Sequence, residues 1–280
     1  MNFSDFASLE PAAVAELVLA RDKRLGVALP MNGTRRWYVD TFHIPASMFL
    51  DHWQHYQELM LKRLLELAVM MFQDGITAFY TPLVGRAMLE RGPAYMKLIS
   101  EGIAVTASEA SMQLYRENQI EASCYGEVSL LPEHVQNHLK RLESTKPGMH
   151  YLRYGVMADK SLPDLIARTV RLSQATGCPP TDAQLLADYY HGESVTVGMW
   201  IGSDQPTVFD VPGVVNEHTA LYFLQFPTPY LDRQTWRRLL YDYLFVRGDE
   251  ETLYPENISN ERRITGLGMR NNGYWIPSEV

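Results

Sequence analysis

Apolar and polar positions along this chain change over in blocks. Glu10 to Ala20 carries helical spacing, and Leu25 to Pro30 is a short apolar run that reads as a strand. From Ser47, an N-cap just after Pro45, to Gly75, a C-cap, the residues Leu50, Trp53, Leu61, Leu64, Leu65, Ala68, Met71 and Phe72 recur at helical spacing. That pattern predicts a helix of roughly 27 residues, about 40 Å long. Ile76 to Thr81 then reads as a buried strand, Met88 to Thr106 as a helix and Ile120 to Tyr125 as a strand. Tyr151 to Met157 is strand-like, Leu162 to Thr176 helical, and Thr181 caps a helix that reaches about Tyr190. Val197 to Gly202 and Ala220 to Phe226 read as strands, and Asp232 to Val246 as a helix.

Strands that are apolar throughout and take turns with helices predict an α/β fold, a mostly parallel central sheet flanked by helices on both faces. Ligands of such folds bind at the carboxyl ends of strands. Nothing in the pattern divides the 280 residues, so the expectation is one domain over 1–280, with an irregular loop from Ser144 to Met149 and an irregular tail from about residue 248.

Composition changes the picture in one respect. With 33 acidic against 25 basic side chains the net charge is -8, the wrong sign for a protein whose main partner is nucleic acid or an anionic membrane surface. An anionic ligand must therefore be met by a local positive cluster. Cys124 and Cys178 lie far apart with no pairing pattern, which argues against a disulfide scaffold and a zinc site. Asp5 and Glu10 precede any apolar run and no 18 apolar residues follow one another, so neither a signal peptide nor a membrane span is expected, and the expected location is the cytoplasm.

The local cluster is found where the first strand ends. Leu29 to Val39 reads LPMNGTRRWYV, an Asn-Gly turn directly followed by a hydroxyl and two adjacent arginines. Alone, Asn32-Gly33 is a plain turn more often than a ligand site. The turn's N–H groups, Thr34, and the forked donors of Arg35 and Arg36 together match the oxygens of a diphosphate. Other signatures are missing: GxGxxG, GxxxxGK[ST], GxSxG, HExxH, CxxC, and the acidic DDxxD and DxDD platforms of ordinary terpene synthases.

LGVALPMNGTRRW resembles the phosphate-binding strand and loop of the cis-prenyltransferases, the undecaprenyl diphosphate synthase family, whose signature is a strand followed by DGNxRW. The spelling GTRRW is closer still to the tuberculosinol-type and kolavelool-type diterpene synthases built on that fold. The likeness continues through HYQELMLKRLLELAVMMFQDGI, LERGPAY, PPTDAQLLADYYHGE, MWIGSDQPTVFDVP, ALYF, TWRRLLYDYLFVR and GMRNNGYWIP, nearly the whole chain. It implies a cis-prenyltransferase-like fold, a small-molecule prenyl diphosphate as substrate, Mg²⁺ as cofactor and a homodimer.

Two departures from the family direct the functional expectation. Where the elongating enzymes carry RTSGExRxSN for isopentenyl diphosphate, this chain has IGSDQP from Ile201 to Pro206, without arginine. Chain elongation is therefore not expected; a bicyclic diterpenyl diphosphate would ionise and its cation would be quenched by water, giving a kolavelool-like alcohol. The alternatives are transfer of the diterpenyl group to a nucleoside or other nucleophile, and a non-catalytic partner subunit. Asn32 stands where the family has an aspartate implicated in magnesium and diphosphate handling. Its neutral carbonyl oxygen makes it a weak metal ligand and no base, so Mg²⁺ would ride mainly on the diphosphate.

The expected catalytic residues are Asn32, Arg35, Arg36 and Tyr56, with Gly33, Thr34, Arg35 and Arg36 on the diphosphate. The resemblance puts Tyr56 in the active site, where its phenol could direct a water and its ring face an allylic cation. Trp37, Phe79 and Thr81 fall at or near strand ends where a hydrocarbon pocket would open, although strand packing explains Trp37 and Phe79 equally well. Part of the Leu61, Leu64 and Met71 stripe is expected to touch substrate. Arg86 and Arg91 read as surface arginines, and Arg237 and Arg238 as helix residues near a dimer contact.

Overall fold

The computed structural model describes residues 1–203 and 206–247; the tail expected from about 248, and Asp204 and Gln205 of the IGSDQP stretch, lie outside the described residues. The helices are α1 (Phe3–Ala7), α2 (Pro11–Arg21), α3 (Thr34–Phe42), α4 (Trp53–Gln73), α5 (Pro93–Ala104), α6 (Glu109–Glu117), α7 (Glu133–Leu139), α8 (Ser161–Thr176), α9 (Asp182–Tyr189) and α10 (Arg233–Tyr241). The strands are β1 (Gly26–Ala28), β2 (Ala78–Val84), β3 (Ile120–Gly126), β4 (His150–Val156), β5 (Val197–Ser203) and β6 (Ala220–Leu224). They form a six-stranded sheet in the order β3-β4-β2-β1-β5-β6, and every pairing is parallel. The predicted α/β class, with a parallel sheet between helices, is what the chain adopts.

Sheet order places the functional end of the molecule. From β1 the chain crosses to β2 on one side, while β5, on the other side of β1, crosses outward to β6. The winding direction reverses between β1 and β5, and in an open parallel sheet that reversal opens a crevice at the carboxyl ends of the two strands. The NGTRRW stretch leaves β1 at that crevice.

Several boundaries differ from the sequence reading for identifiable reasons. Ser47 does not cap the long helix: Ala46–His52 is a 3₁₀ segment, and α4 proper has 21 residues beginning at Trp53. At its far end Gly75 does have the left-handed φ expected past a helix, +95°, and a Cβ there would lie 2.8 Å from Ala15 Cα, so α2 and α4 can approach only at a glycine. β2 runs three residues past Thr81, through Pro82, because it stays paired with β4 as far as Val84 opposite Val156. α5 begins at Pro93, a favoured first helical residue, instead of at Met88. The sequence reading has no counterpart for helices α1, α3, α6 and α7, whereas Thr181 caps α9 as expected, in a reciprocal box with Gln184.

One face of the sheet carries the larger core, where Leu64, Leu67, Ala68, Met71 and Phe72 of α4 pack on Val27 and Phe79. The other face is aromatic, with Tyr80, Tyr125, Tyr189, Tyr190 and Trp200 fully buried. Among the described residues no helix is long and apolar enough to cross a membrane.

A buried ion pair ties α10 and the α1–α2 connection to α4. Asp74, fully buried at the end of that helix, accepts from Arg237 Nε at 2.6 Å and Nη2 at 2.8 Å, and from Trp236 Nε1 at 2.9 Å. Arg237 Nη1 also donates to the Leu9 carbonyl at 3.1 Å, so α10 holds the α1–α2 connection against α4. Arg237 and Arg238 lie on a helix as expected, but the Arg237 charge is neutralised in the interior, while Arg238 lies over the Phe3 ring. Removing one member of such a pair leaves the other charge buried without compensation. Arg237→Met is expected to lower unfolding stability by about 3–5 kcal/mol, read as a shifted midpoint in urea denaturation.

Candidate active site

The site begins with the way β1 ends. Pro30 stops the strand, and Gly33, at φ +69°, turns the backbone into α3, whose first residue is Thr34. The stretch read as a turn is thus a turn that starts a nine-residue helix. The first helical bond back to the turn comes from Trp37 N to the Gly33 carbonyl, which leaves the N–H groups of Thr34, Arg35 and Arg36 without intrahelical acceptors at the helix's positive end. Such an end suits an anion, and two guanidinium groups stand on it.

Asn32 braces this geometry. Its Nδ2 donates to the Ser203 carbonyl at the carboxyl end of β5 (3.2 Å), and its backbone N–H donates to Thr228 Oγ1 (3.2 Å). Thr228 in turn donates its N–H to the Asn32 carbonyl (3.0 Å) and its hydroxyl to the Pro30 carbonyl (3.1 Å). A carbonyl only accepts, so the amide nitrogen must be the atom that faces Ser203, and Oδ1 is left as a single neutral oxygen. Together with the Thr34 hydroxyl and two guanidinium groups, this donor set fits a diphosphate and does not fit a divalent cation held by protein alone. Among the described residues no group of three or more His, Cys, Asp or Glu side chains could hold a metal ion.

From this loop a cleft of about 450 Å³ runs between α4 and α5. At its charged end are Gly33, Thr34, Arg35, Arg36 and Arg91; its apolar wall includes Met60, Leu61, Leu64, Leu83, Ile99 and Ile103. Tyr56 joins the two parts. Its phenol and the Thr34 hydroxyl are 2.7 Å apart, and its ring lies among those of Tyr38, Phe49 and Trp53, at centroid distances of 5.0 to 5.4 Å. Burial raises the Tyr56 pKa above the ordinary phenol value, the Thr34 bond and Arg35 offsetting only part of the shift. At neutral pH the group is therefore a neutral phenol, able to donate or accept a hydrogen bond but not to act as an anionic base.

The structure gathers Gly33, Thr34, Arg35, Arg36 and Tyr56 in the lining of one cleft, whereas Asn32, expected among the catalytic residues, is not part of that lining and turns its amide to the Ser203 carbonyl. It does not bring Trp37, Phe79 or Thr81 there. Trp37 lies on α3 with its ring against Phe42, Phe79 is buried beneath Phe72 in the core, and Thr81 is fully buried in mid-strand. The expected strand end at Thr81 was three residues early, so Leu83, not Thr81, reaches the cleft wall. On α4 the first turns supply the wall, Leu61 and Leu64 included, and Met71 belongs to the core.

Two residues of the cleft were missed or undervalued in the sequence. Arg91 lines the charged end, and its Nη1 donates to the Tyr95 phenol at 3.0 Å; Arg35 donates to the same phenol oxygen. The i, i+4 spacing of Arg91 and Tyr95 within LERGPAY was the available signal. Arg86, by contrast, is bound to Glu127 and Asp159, which neutralise it away from the cleft.

No family model matches the chain. A curated relative, the tuberculosinyl adenosine transferase of Mycobacterium tuberculosis, is 27% identical over an alignment of 305 positions that covers 97% of each chain. Among solved structures, a probable undecaprenyl diphosphate synthase from Campylobacter jejuni superposes with a TM-score of 0.59 at 14% identity, over 81% of this chain and 97% of that one. Lavandulyl diphosphate synthase from Lavandula x intermedia, in complex with dimethylallyl diphosphate, gives 0.61 at 15% identity over 79% and 94%. The fold is that of the cis-prenyltransferases, and the resemblance expected from the sequence is borne out. Similarity and cleft together support an enzyme that uses a prenyl diphosphate.

The Asn32 brace has a direct test. Asn32→Asp replaces the donor facing the Ser203 carbonyl with an acceptor, and is expected to cost about 1–3 kcal/mol of stability in a denaturation titration. An unchanged midpoint would show that the amide does not hold β1 to β5.

Proposed function

On the premise of a cis-prenyltransferase fold, we propose that this protein is a diterpene synthase. It binds a preformed bicyclic allylic diphosphate of the labdane, halimane or clerodane class, breaks the C–O bond to diphosphate, and quenches the cation with water to give a kolavelool-like diterpene alcohol. The observation that carries this reading is the joining, at one cleft, of an anion-binding helix end bearing Arg35 and Arg36 to an apolar wall entered through the Tyr56 ring cluster.

Ionisation places two demands on the protein. Negative charge that develops on the leaving diphosphate must meet donors already in place, and Arg35, Arg36 and the first N–H groups of α3 are such donors. The cation must lie against polarisable, weakly nucleophilic surface with little water, which the Tyr56 and Trp53 rings and the Leu and Ile wall supply. Mg²⁺ carried by the diphosphate would add charge neutralisation to the leaving group. The family resemblance further supports a homodimer working in the cytoplasm.

A second reading is favoured by the name of the curated relative: the same cation captured by adenosine instead of water. It would use the same diphosphate end and differ only in what reaches the cation.

The two separate in one experiment. Purified protein is incubated with geranylgeranyl, halimadienyl, copalyl and kolavenyl diphosphates, with and without Mg²⁺ and adenosine, and products are read by mass spectrometry. A diterpene alcohol from a bicyclic substrate is expected, and an adenosine adduct would transfer the protein to the second reading. No released diphosphate from any substrate would overturn both. Arg35→Ala and Arg36→Ala are each expected to lower kcat by about 10²–10³, on the scale of losing one oxyanion donor.

A further inference from the structure

One polar side chain in the apolar part of the cleft has no part in the diphosphate site. Gln57 follows Tyr56 on α4 and lines the cleft, and its Nε2 donates to the Leu98 carbonyl of α5 at 2.6 Å. Because that carbonyl can only accept, the amide is fixed with nitrogen toward α5. Its Oε1 then has no hydrogen-bond partner among the described residues. The placement depends on Gly102, one turn beyond Leu98: a Cβ there would lie 2.3 Å from Gln57 Nε2 and 3.0 Å from Cδ. Gly102 is itself part of the cleft lining.

The neighbouring polar atoms divide into the committed and the free. Thr106 donates its hydroxyl to the Ile103 carbonyl at 2.7 Å, and the Tyr56 phenol is bonded to Thr34. Trp53, four residues before Gln57 and so on the same side of α4, has its Nε1 buried without a partner. An unpartnered donor and an unpartnered acceptor thus belong to the lining of the same, otherwise apolar, part of the cleft. A buried donor such as Trp53 Nε1 is ordinarily satisfied by protein or water, and Gln57 Oε1, which lines the cleft with an acceptor to spare, is a group that can hold a water there.

We propose that Gln57 is a catalytic residue that holds the quenching water, taking one of its hydrogens on Oε1 and leaving a lone pair directed at the cation. The role rests on the synthase reading above. The C–O bond to diphosphate breaks and its electron pair leaves with the diphosphate; the water lone pair forms the new C–O bond; the proton released from that oxygen passes to the departing diphosphate. Gln57, a neutral amide, orients the nucleophile and accepts no proton. Without a held water the cation loses a proton to the diphosphate instead and gives an olefin. Gln57 therefore sets alcohol against olefin, and Gly102 acts through it as a positioning residue.

The test is the alcohol-to-olefin ratio per diphosphate released, with ¹⁸O-water as label, in wild type, Gln57→Leu and Gly102→Ala. Melting curves confirm that each variant is folded. Both variants are expected to lower the ratio about tenfold or more, a change of about 1.4 kcal/mol in the competition between the two steps. A ratio in Gln57→Leu equal to that of wild type, with label still incorporated, overturns the role of Gln57 and leaves the synthase reading standing. Should Gln57→Leu fail to fold, Gln57→Met, which keeps length and flexibility while removing the amide, carries the same expectation. A wild type that releases no diphosphate, or that makes only a nucleoside adduct, overturns the synthase reading and the water-holding role with it.

Discussion

Gly33 is the constraint on which the site depends. At φ +69° it turns the chain from the end of β1 into α3, and a Cβ at that position would lie 2.8 Å from Pro227 Cβ. Any other residue would be strained both by conformation and by contact. Because the turn is so tight, the first N–H groups of α3 and the side chains of Arg35 and Arg36 emerge together where the winding of the sheet reverses. The bonds of Asn32 and Thr228 then lock the loop to both β1 and β5. An aspartate at Asn32 would serve a metal better; the amide found there serves the strand junction.

Charge is arranged so that the cleft keeps its positive end in a net acidic molecule. Arg237 is bound to Asp74, Arg153 to Glu121, Arg168 to Asp164 and Asp188, and Arg86 to Glu127 and Asp159. Arg35 and Arg91 instead share the phenol of Tyr95, with the Arg91 guanidinium 5.1 Å from the ring centroid. A phenol orders a guanidinium without cancelling its charge, whereas a carboxylate would compete with the diphosphate. The same ring thus serves two cations brought from different strands' ends.

Away from the charged end the cleft offers rings, branched aliphatic chains and the Gln57 amide. Ionisation and cation capture have opposed needs, since water stabilises the departing anion but ends the cation's life indiscriminately. A fixed amide in a dry wall answers both by admitting a nucleophile at one place. The close approach of α4 and α5 that Gly102 permits is what fixes it.

The sequence by itself determined what is local or periodic. Apolar strands alternating with helices gave the parallel α/β class, the position of six strands and the capping of α9, because hydrophobic period and cap chemistry act over a few residues. GTRRW was legible as an anion site for the same reason: its donors are contiguous. Tertiary structure decided the rest. Where β2 ends is set by its pairing with β4, not by Pro82, so Phe79 and Thr81 were placed in the pocket while Leu83 occupies the wall. Arg91 and Tyr95 reach Arg35 across 56 and 60 positions, and Gln57 acquires a fixed oxygen only because Gly102, 45 residues on, lets two helices touch. Contacts across such separations depend on which elements pack together, and no local pattern carries that information.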